Sequence, residues 1–92
     1  MVHVHLTRHL FAFFPQLDGQ KIDIEATDVA GVLRALEKRA PGIGFYLCDE
    51  RGRLRPHVNV FIGNAIIHDR RQLSDPVIAG DSVSILQALS GG

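Results

Sequence analysis

The most informative segment of the sequence is residues 80–92, which read Gly80-Asp81-Ser82-Val83-Ser84-Ile85-Leu86-Gln87-Ala88-Leu89-Ser90-Gly91-Gly92. Gly80 and Asp81 have the composition of a turn. Val83 and Ile85 then alternate with polar residues, which predicts a strand over residues 82–86 with one buried face. The last two residues are glycines, which make a slim and extended tail because they carry no side chains. Such a tail can thread into a narrow active site and place the Gly92 carboxylate next to a nucleotide phosphate.

Three further segments alternate apolar and polar residues, as strands with one buried face do. Val2–Leu6 and residues 22–26 lie on either side of the turn-forming residues 17–20 and predict an antiparallel hairpin. Residues 57–62 predict another strand, and the turn that follows it predicts a short return strand over residues 65–68.

One segment has helical periodicity. Thr27 and Asp28 are helix-start residues, because either side chain can accept a hydrogen bond from a free backbone N–H of the first turn. One apolar stripe follows, formed by Val29, Val32, Leu33, Leu36 and Ala40. Pro41-Gly42 ends this helix. Residues 45–47 fit either a short strand or one helical turn, and Leu73 is predicted to be a buried anchor in a polar connection.

This order of elements predicts one α+β domain. A mixed sheet of four to five strands, with one main helix across one face, buries all the apolar stripes at once. The predicted domain covers residues 1–88, and residues 89–92 form a flexible C-terminal tail.

Composition narrows the class of protein. The 92 residues include ten basic and ten acidic side chains, a formal net charge of zero. A neutral chain lacks the general attraction for phosphates that dominates nucleic-acid binding, so we expect no nucleic-acid partner. Cys48 is the only cysteine, which excludes an intramolecular disulfide. Without a signal peptide or an apolar run long enough to span a bilayer, the sequence predicts a cytoplasmic protein that does not contact membranes.

Three stretches together resemble a known family. They are residues 58–62 (Val58-Asn59-Val60-Phe61-Ile62), residues 78–86, in which Gly80-Asp81-Ser82-Val83 opens the last strand, and the terminal Ala88-Leu89-Ser90-Gly91-Gly92. The chain resembles the ubiquitin-like β-grasp sulfur carriers, which include the thiamine-biosynthesis carrier and the small subunit of molybdopterin synthase. The likeness is greatest to the carriers that supply sulfur for cysteine synthesis, and it covers nearly the whole chain.

The resemblance implies a mechanism and a set of partners. An adenylyltransferase of the ubiquitin-activating type uses ATP to adenylate the Gly92 carboxylate, and sulfur transfer then gives a C-terminal thiocarboxylate. That sulfur passes to a biosynthetic acceptor enzyme. The Gly91-Gly92 pair is the reacting end, and the carrier is a substrate with no catalytic residue and no permanently bound cofactor. Docking to the partners is expected through Phe61, Leu86, Leu89 and Ser90.

Other residues have simpler interpretations. A His-x-His pair on a strand can bind a metal, but His3 and His5 are predicted on the solvent face of the sheet, with Phe61, Ser84 and Leu86. We expect Phe11, Phe13 and Phe14, in a probable loop, to pack at the edge of the core. Arg51, Arg53 and Arg55 are expected in a solvated, mobile hairpin loop. Cys48 has no neighbouring His or Lys to lower its pKa and is expected to be structural.

Two alternatives stay open. A ubiquitin-like modifier would join Gly92 to lysines of other proteins after the same adenylation step. A non-covalent interaction module would use the same fold without the tail, because fold does not fix function. The sequence contains no nucleophile elbow, no phosphate-binding glycine loop and no paired-carboxylate motif, which argues against an enzyme.

Overall fold

The computed structural model describes residues 1–87 of the chain. In chain order the elements are β1 (Val2–Leu6), α1 (Leu10–Phe13), a 3-10 helix (Pro15–Leu17), β2 (Ile22–Ile24), α2 (Val29–Arg39), α3 (Ile43–Leu47), β3 (Val58–Ile62), β4 (Ala65–Ile66) and β5 (Ser82–Gln87). This arrangement confirms the α+β class. The predicted boundary between domain and tail, at residues 88 and 89, lies outside the described residues.

The five strands form one mixed sheet in the order β2-β1-β5-β3-β4. β1 pairs with β2 in antiparallel fashion and with β5 in parallel fashion. β3 pairs antiparallel with both β5 and β4. Strand β5, the last of the strands within residues 1–87, therefore lies at the centre of the sheet. It separates the pair β1 and β2 from the pair β3 and β4, both of which precede it in the sequence.

The core lies between one face of the sheet and α2. Alternation along each strand sends every second side chain to this face. The buried strand residues are Val2, Val4, Ile22, Ile24, Val58, Val60, Val83 and Ile85. They face the stripe predicted on α2, of which Val29, Val32 and Leu36 are fully buried. No polar or charged residue among residues 1–87 is buried, so the core needs no internal polar network.

Helix α2 begins at the predicted cap. The Asp28 carboxylate accepts a hydrogen bond from the Gly31 N–H at 2.8 Å, which satisfies one of the free amides of the first turn. At its other end, Glu37 accepts hydrogen bonds from the N–H groups of Gly42 and Gly44, each at 2.9 Å, and so ties α2 to α3. These two backbone donors stabilise the carboxylate and lower the pKa of Glu37.

The connection from β1 to β2 differs from the sequence-based prediction. The strands pair antiparallel as expected, but residues 10–17 form α1 and the 3-10 helix, so the loop predicted for residues 11–14 was wrong. Leu10 is fully buried and holds α1 against the core, while Phe14 is buried and contacts Tyr46 edge-on. Phe11 also packs against the core, as predicted, whereas Phe13 is largely exposed beside Tyr46. None of the helices within residues 1–87 has the length and apolar character needed to cross a bilayer.

Strand β4 is shorter than predicted. It ends at Ile66, although the Ile67 N–H still donates to the Val60 carbonyl of β3 at 3.0 Å. The Asp75 carboxylate accepts hydrogen bonds from the next two N–H groups, those of His68 and Asp69, at 2.9 and 2.7 Å. These two N–H groups therefore pair with Asp75 and not with β3. The predicted strand over residues 65–68 is thus correct only for its first half.

The loop between β4 and β5 closes the start of α2. The Leu73 carbonyl accepts the Ala30 N–H at 2.9 Å, and the Asp75 carbonyl accepts the Val29 N–H at 3.1 Å. Leu73 is buried, as predicted, with a backbone φ of 57°, the left-handed region that few residues other than glycine adopt. Asp69 shapes the same loop by accepting hydrogen bonds from the Ser74 hydroxyl and from nearby backbone N–H groups. These donors lower the pKa of Asp69 to about 2.

Candidate functional site

Strand β5 carries the chain to the terminal segment. Its end is held on both sides, because Gln87 pairs with Val58 of β3 and the Gln87 N–H donates to the Thr7 hydroxyl at 2.7 Å. The Thr7 N–H in turn donates to the Ile85 carbonyl at 3.1 Å. The terminal segment thus leaves from the best-anchored strand of the sheet. The predicted reacting residues Gly91 and Gly92, and the predicted docking residues Leu89 and Ser90, lie outside the described residues.

The sheet face opposite α2 brings the other predicted docking residues together. Phe61 is the register partner of Ser84, which is in turn the partner of His5, so these three side chains cross the sheet in one row. Leu86 lies opposite Asn59, two residues before Phe61 on the same strand. The predicted placement of His3, His5, Phe61, Ser84 and Leu86 on one face is therefore confirmed.

This open face carries an apolar patch of three side chains. Leu86 is 44% exposed, Phe61 is half-buried, and Ile66, the register partner of Phe61 on β4, is 48% exposed. The sequence analysis did not include Ile66. The alternation within β4 is too short to show its face, which follows only from the pairing with Phe61. We call Phe61, Ile66 and Leu86 the open-face patch.

The other end of the open face is polar. His3 Nδ1 lies 2.6 Å from an Asp23 carboxylate oxygen on the neighbouring strand. This hydrogen bond lowers the pKa of Asp23. Within residues 1–87, no three His, Cys, Asp or Glu side chains come together as a metal site would require. The structure therefore gives His3 a carboxylate partner within the protein.

The arginine-rich loop is a hairpin, as predicted. Asp49 and Arg53 form an ion pair at 3.1 Å across its turn, and the buried side chain of Leu54 fixes it to the core. The Arg55 guanidinium donates twice to the Phe45 carbonyl of α3, at 3.0 and 2.8 Å. The mobility of this hairpin loop stays a prediction.

Arg70 is a residue of this region that the sequence analysis missed. Its guanidinium donates to the Asn59 side-chain oxygen at 3.2 Å and to the Val58 and Arg55 carbonyls at 2.7 and 2.6 Å. Arg70 thereby closes the outer edge of β3 beside the open-face patch. No local pattern in the sequence marks it, because its partners lie 11 to 15 residues away along the chain.

Cys48 lies on the opposite side of the molecule. It lines a shallow groove of about 540 Å³ between α2, α3 and the loop that follows α3, together with Leu33, Phe45 and Leu73. The residue is buried, and burial raises the pKa of its thiol. The burial predicted for Cys48 is confirmed, and its structural role stays a prediction.

Comparison with known proteins identifies relatives over nearly the full chain. The profile of the ThiS family matches residues 9–92. Small archaeal modifier protein 3 of Haloferax volcanii is 34% identical over 95 residues, covering 97% of this chain and all of that protein. Sulfur carrier protein CysO of Mycobacterium tuberculosis is 33% identical over 81 residues, covering 85% of this chain and 87% of that protein.

Solved structures agree with these relatives. A chain in the crystal structure of the Amycolatopsis orientalis BexX/CysO complex superposes with a TM-score of 0.82 at 25% identity, and each chain covers all of the other. The crystal structure of Mycobacterium tuberculosis CysO gives a TM-score of 0.81 at 28% identity, covering 97% of this chain and all of that one. Both likenesses confirm the ubiquitin-like β-grasp fold. With the fold, the profile match and the relatives in agreement, the chain belongs to the ThiS family of ubiquitin-like sulfur carriers.

Proposed function

We propose that this protein carries sulfur as a thiocarboxylate on Gly92. The observation that carries the proposal is the position of β5: the central strand leads directly into a segment that ends in Gly91-Gly92. A rigid domain joined to a narrow terminus can be held by an enzyme while its last residues enter the active site. Relatives named sulfur carriers, at 33% identity, support this use of the terminus.

The chemistry needs activation, because a carboxylate is a poor electrophile. An adenylyltransferase joins the Gly92 carboxylate to the α-phosphate of ATP and releases pyrophosphate. Hydrosulfide delivered by the sulfur source then attacks the acyl carbon and AMP leaves, which gives the thiocarboxylate. The carrier acts as a substrate in both steps, and the activating enzyme consumes ATP. The thiocarboxylate sulfur finally displaces a leaving group on the substrate of a biosynthetic acceptor enzyme, in the synthesis of cysteine, thiamine, molybdopterin or a related metabolite. Hydrolysis of the resulting thioester leaves the sulfur on that substrate and returns the Gly92 carboxylate.

The partners would bind the open face. Phe61 and Leu86 supply apolar docking contacts, and Leu89 and Ser90 would enter the channel ahead of the glycines. The adenylyltransferase and the acceptor enzyme would use this face in turn, in the cytoplasm, without nucleic acid or membrane. The BexX/CysO complex provides a precedent in which a carrier of this fold is bound by another protein.

Intact-mass measurement tests the proposal. The protein is incubated with a candidate activating enzyme, ATP and a sulfur source, and we expect a mass gain equal to the exchange of one oxygen for sulfur. Deletion of Gly91-Gly92 should abolish the gain, and Gly92→Ala should lose most of it while melting at the same temperature. No gain for the unaltered protein with its cognate activating enzyme would contradict the carrier function and favour a non-covalent module.

The docking face has a matched control. Phe61→Asp places a charge in the open-face patch, whereas Phe45→Asp does so at an exposed position of α3 on the other side of the molecule. We expect Phe61→Asp alone to lower kcat/KM for activation by about tenfold or more, because it removes an apolar contact and buries an unpaired charge. Equal kcat/KM values for the two variants would show that the activating enzyme does not bind the open face.

A second candidate function is protein modification. It is favoured by the 34% identity to small archaeal modifier protein 3 over nearly the full chain. In this case the activated Gly92 is transferred to lysine amines of other proteins. A tagged form purified under denaturing conditions would show a ladder of covalent adducts that is absent without Gly91-Gly92. A single free band would count against this candidate.

A further inference from the structure

Arg70 is a fixed cation without a counter-ion in the described part of the chain. Its three hydrogen-bond acceptors, the Asn59 side-chain oxygen and the Val58 and Arg55 carbonyls, are all neutral. Within residues 1–87, the two ion pairs closer than 4.0 Å join His3 to Asp23 and Arg53 to Asp49, so no carboxylate oxygen there lies within 4.0 Å of the Arg70 guanidinium. The carbonyls orient the guanidinium but leave its positive charge in place.

This arrangement suits recognition of an anion. A guanidinium held by backbone carbonyls loses little further side-chain freedom on binding. Three of its five N–H groups are used, so a carboxylate can accept from a remaining N–H on Nη1 or Nε. Arg70 is half-buried, so a carboxylate that reaches it is less screened by water than at a fully exposed arginine.

The position of Arg70 connects this charge to the open-face patch. Asn59, which accepts from Arg70, is the register partner of Leu86 and lies two residues from Phe61 on the same face of β3. A partner that covers Phe61 and Leu86 therefore reaches Arg70 without any change in the fold.

We propose that Arg70 and the open-face patch form one composite docking site for an acidic segment of the enzyme that activates the terminus. The segment would present a carboxylate to Arg70 and an apolar side chain to Phe61 and Leu86. This proposal rests on the proposed carrier function and adds the chemistry of the partner. Charge complementarity selects this occupant, because a basic or purely apolar segment would leave the Arg70 charge desolvated and unpaired.

Arg71 provides the matched control. Arg71 carries the same charge, one residue later in the chain, and it is exposed. Its backbone N–H donates a hydrogen bond to the Asp69 carboxylate. With a purified activating enzyme, we expect Arg70→Gln to raise KM for the carrier about tenfold with kcat unchanged, and Arg71→Gln to change KM less than about twofold. Added salt should raise KM more steeply for the unaltered protein than for Arg70→Gln. Equal KM values for Arg70→Gln and Arg71→Gln would overturn the proposal.

Arg70 also closes the edge of β3, so a structural effect must be separated from docking. Arg70→Lys keeps the positive charge but not the planar guanidinium. We expect it to bind the activating enzyme more tightly than Arg70→Gln does, although both variants melt at the same temperature. If Arg70→Lys binds as weakly as Arg70→Gln and both lose thermal stability equally, Arg70 is only an edge clamp and the proposal is wrong.

A titration without the enzyme tests the site independently of the carrier function. The probe is a short synthetic peptide of alternating Glu and Leu, with an alternating Lys and Leu peptide as its control. We expect the acidic peptide to shift the amide resonances of Asn59, Phe61 and Leu86, and these shifts to be lost in Arg70→Gln but kept in Arg71→Gln. Shifts elsewhere, or equal shifts with the basic peptide, would overturn the composite site. Failure of activation with these shifts present would instead count against the carrier function alone.

Discussion

Leu73 combines a buried side chain with a left-handed backbone. A smaller residue loses packing at this position, whereas glycine also relieves backbone strain, so the two effects change the free energy of unfolding in opposite directions. The side chain of Leu73 is 4% exposed in the core, and the residue has a φ of 57°. Its carbonyl also accepts the Ala30 N–H in the first turn of α2. Replacing Leu73 therefore tests the packing of the loop and its backbone strain at one position.

The magnitudes follow from these two features. Leu73→Ala removes a buried side chain and keeps the strain, so we expect a loss of about 2–5 kcal/mol in the free energy of unfolding. Leu73→Gly removes the same packing but also relieves left-handed strain of about 1–2 kcal/mol. The greater freedom of glycine in the unfolded chain offsets about 0.4–1 kcal/mol of that relief. Glycine should thus be as stable as alanine here, or more stable by about 1 kcal/mol, the reverse of their order in a helix.

Urea unfolding followed by far-UV circular dichroism measures both variants. A domain of this size has a total stability of about 5–14 kcal/mol, so loss of the Leu73 side chain is a large fraction of it. Leu86→Ala, at a half-exposed position on the open face, is the control and should cost less than about 1 kcal/mol. If Leu73→Ala costs no more than this control, the Leu73 side chain does not stabilise the core. If Leu73→Gly is clearly less stable than Leu73→Ala, the backbone at this position is not strained.

Three other positions allow similar tests. Asp28→Ala should lower the free energy of unfolding in urea by about 1 kcal/mol, because the Gly31 N–H loses its partner. Asp69 has a pKa of about 2 in the folded protein against 3.8 ordinarily, so its stabilisation is complete above pH 3.8 and is lost as the pH falls towards 2. Thermal melts between pH 5 and pH 2 should therefore fall more steeply for the unaltered protein than for Asp69→Asn. Cys48 should react with iodoacetamide at least about tenfold more slowly in the folded protein than in urea, because burial raises the pKa of its thiol.

Each of these tests has a control. Thr27→Ala changes the exposed neighbour of the cap, and an equal loss in both variants would contradict the capping role of Asp28. Parallel acid profiles for Asp69→Asn and the unaltered protein would show that the loop does not depend on the Asp69 carboxylate. Equal alkylation rates in the folded and unfolded protein would mean that the Cys48 site opens readily.

The strands and the main helix could be predicted because their signals are local. Alternation places Val83 and Ile85 inward without knowledge of any partner, and the Asp28 cap marks the start of α2. Helix α1 could not be predicted in this way. It has four residues and no side-chain cap, and it forms where Leu10 is drawn into the core. Tertiary packing, which no short segment encodes, decides such an element.

The residues of the candidate site also differ in whether a local sequence pattern could place them. Alternation was sufficient to place Phe61 and Leu86 on one face. Ile66 and Arg70 required the register between β3 and β4 and hydrogen bonds to distant residues. The assignment of Gly91 and Gly92 rests on the sequence and the family alone.

The central position of β5 has a consequence for synthesis, because the ribosome makes residues 82–87 after every other strand. Until they emerge, β1 with β2 and β3 with β4 are separate two-stranded units, which are marginal in water. Insertion of β5 joins them through contacts between distant parts of the sequence, including the parallel pairing with β1. Such contacts form slowly. A nascent chain that stalls before residue 82 therefore cannot complete the sheet, and it exposes the unpaired edges of β1 and β3 to chaperones and proteases.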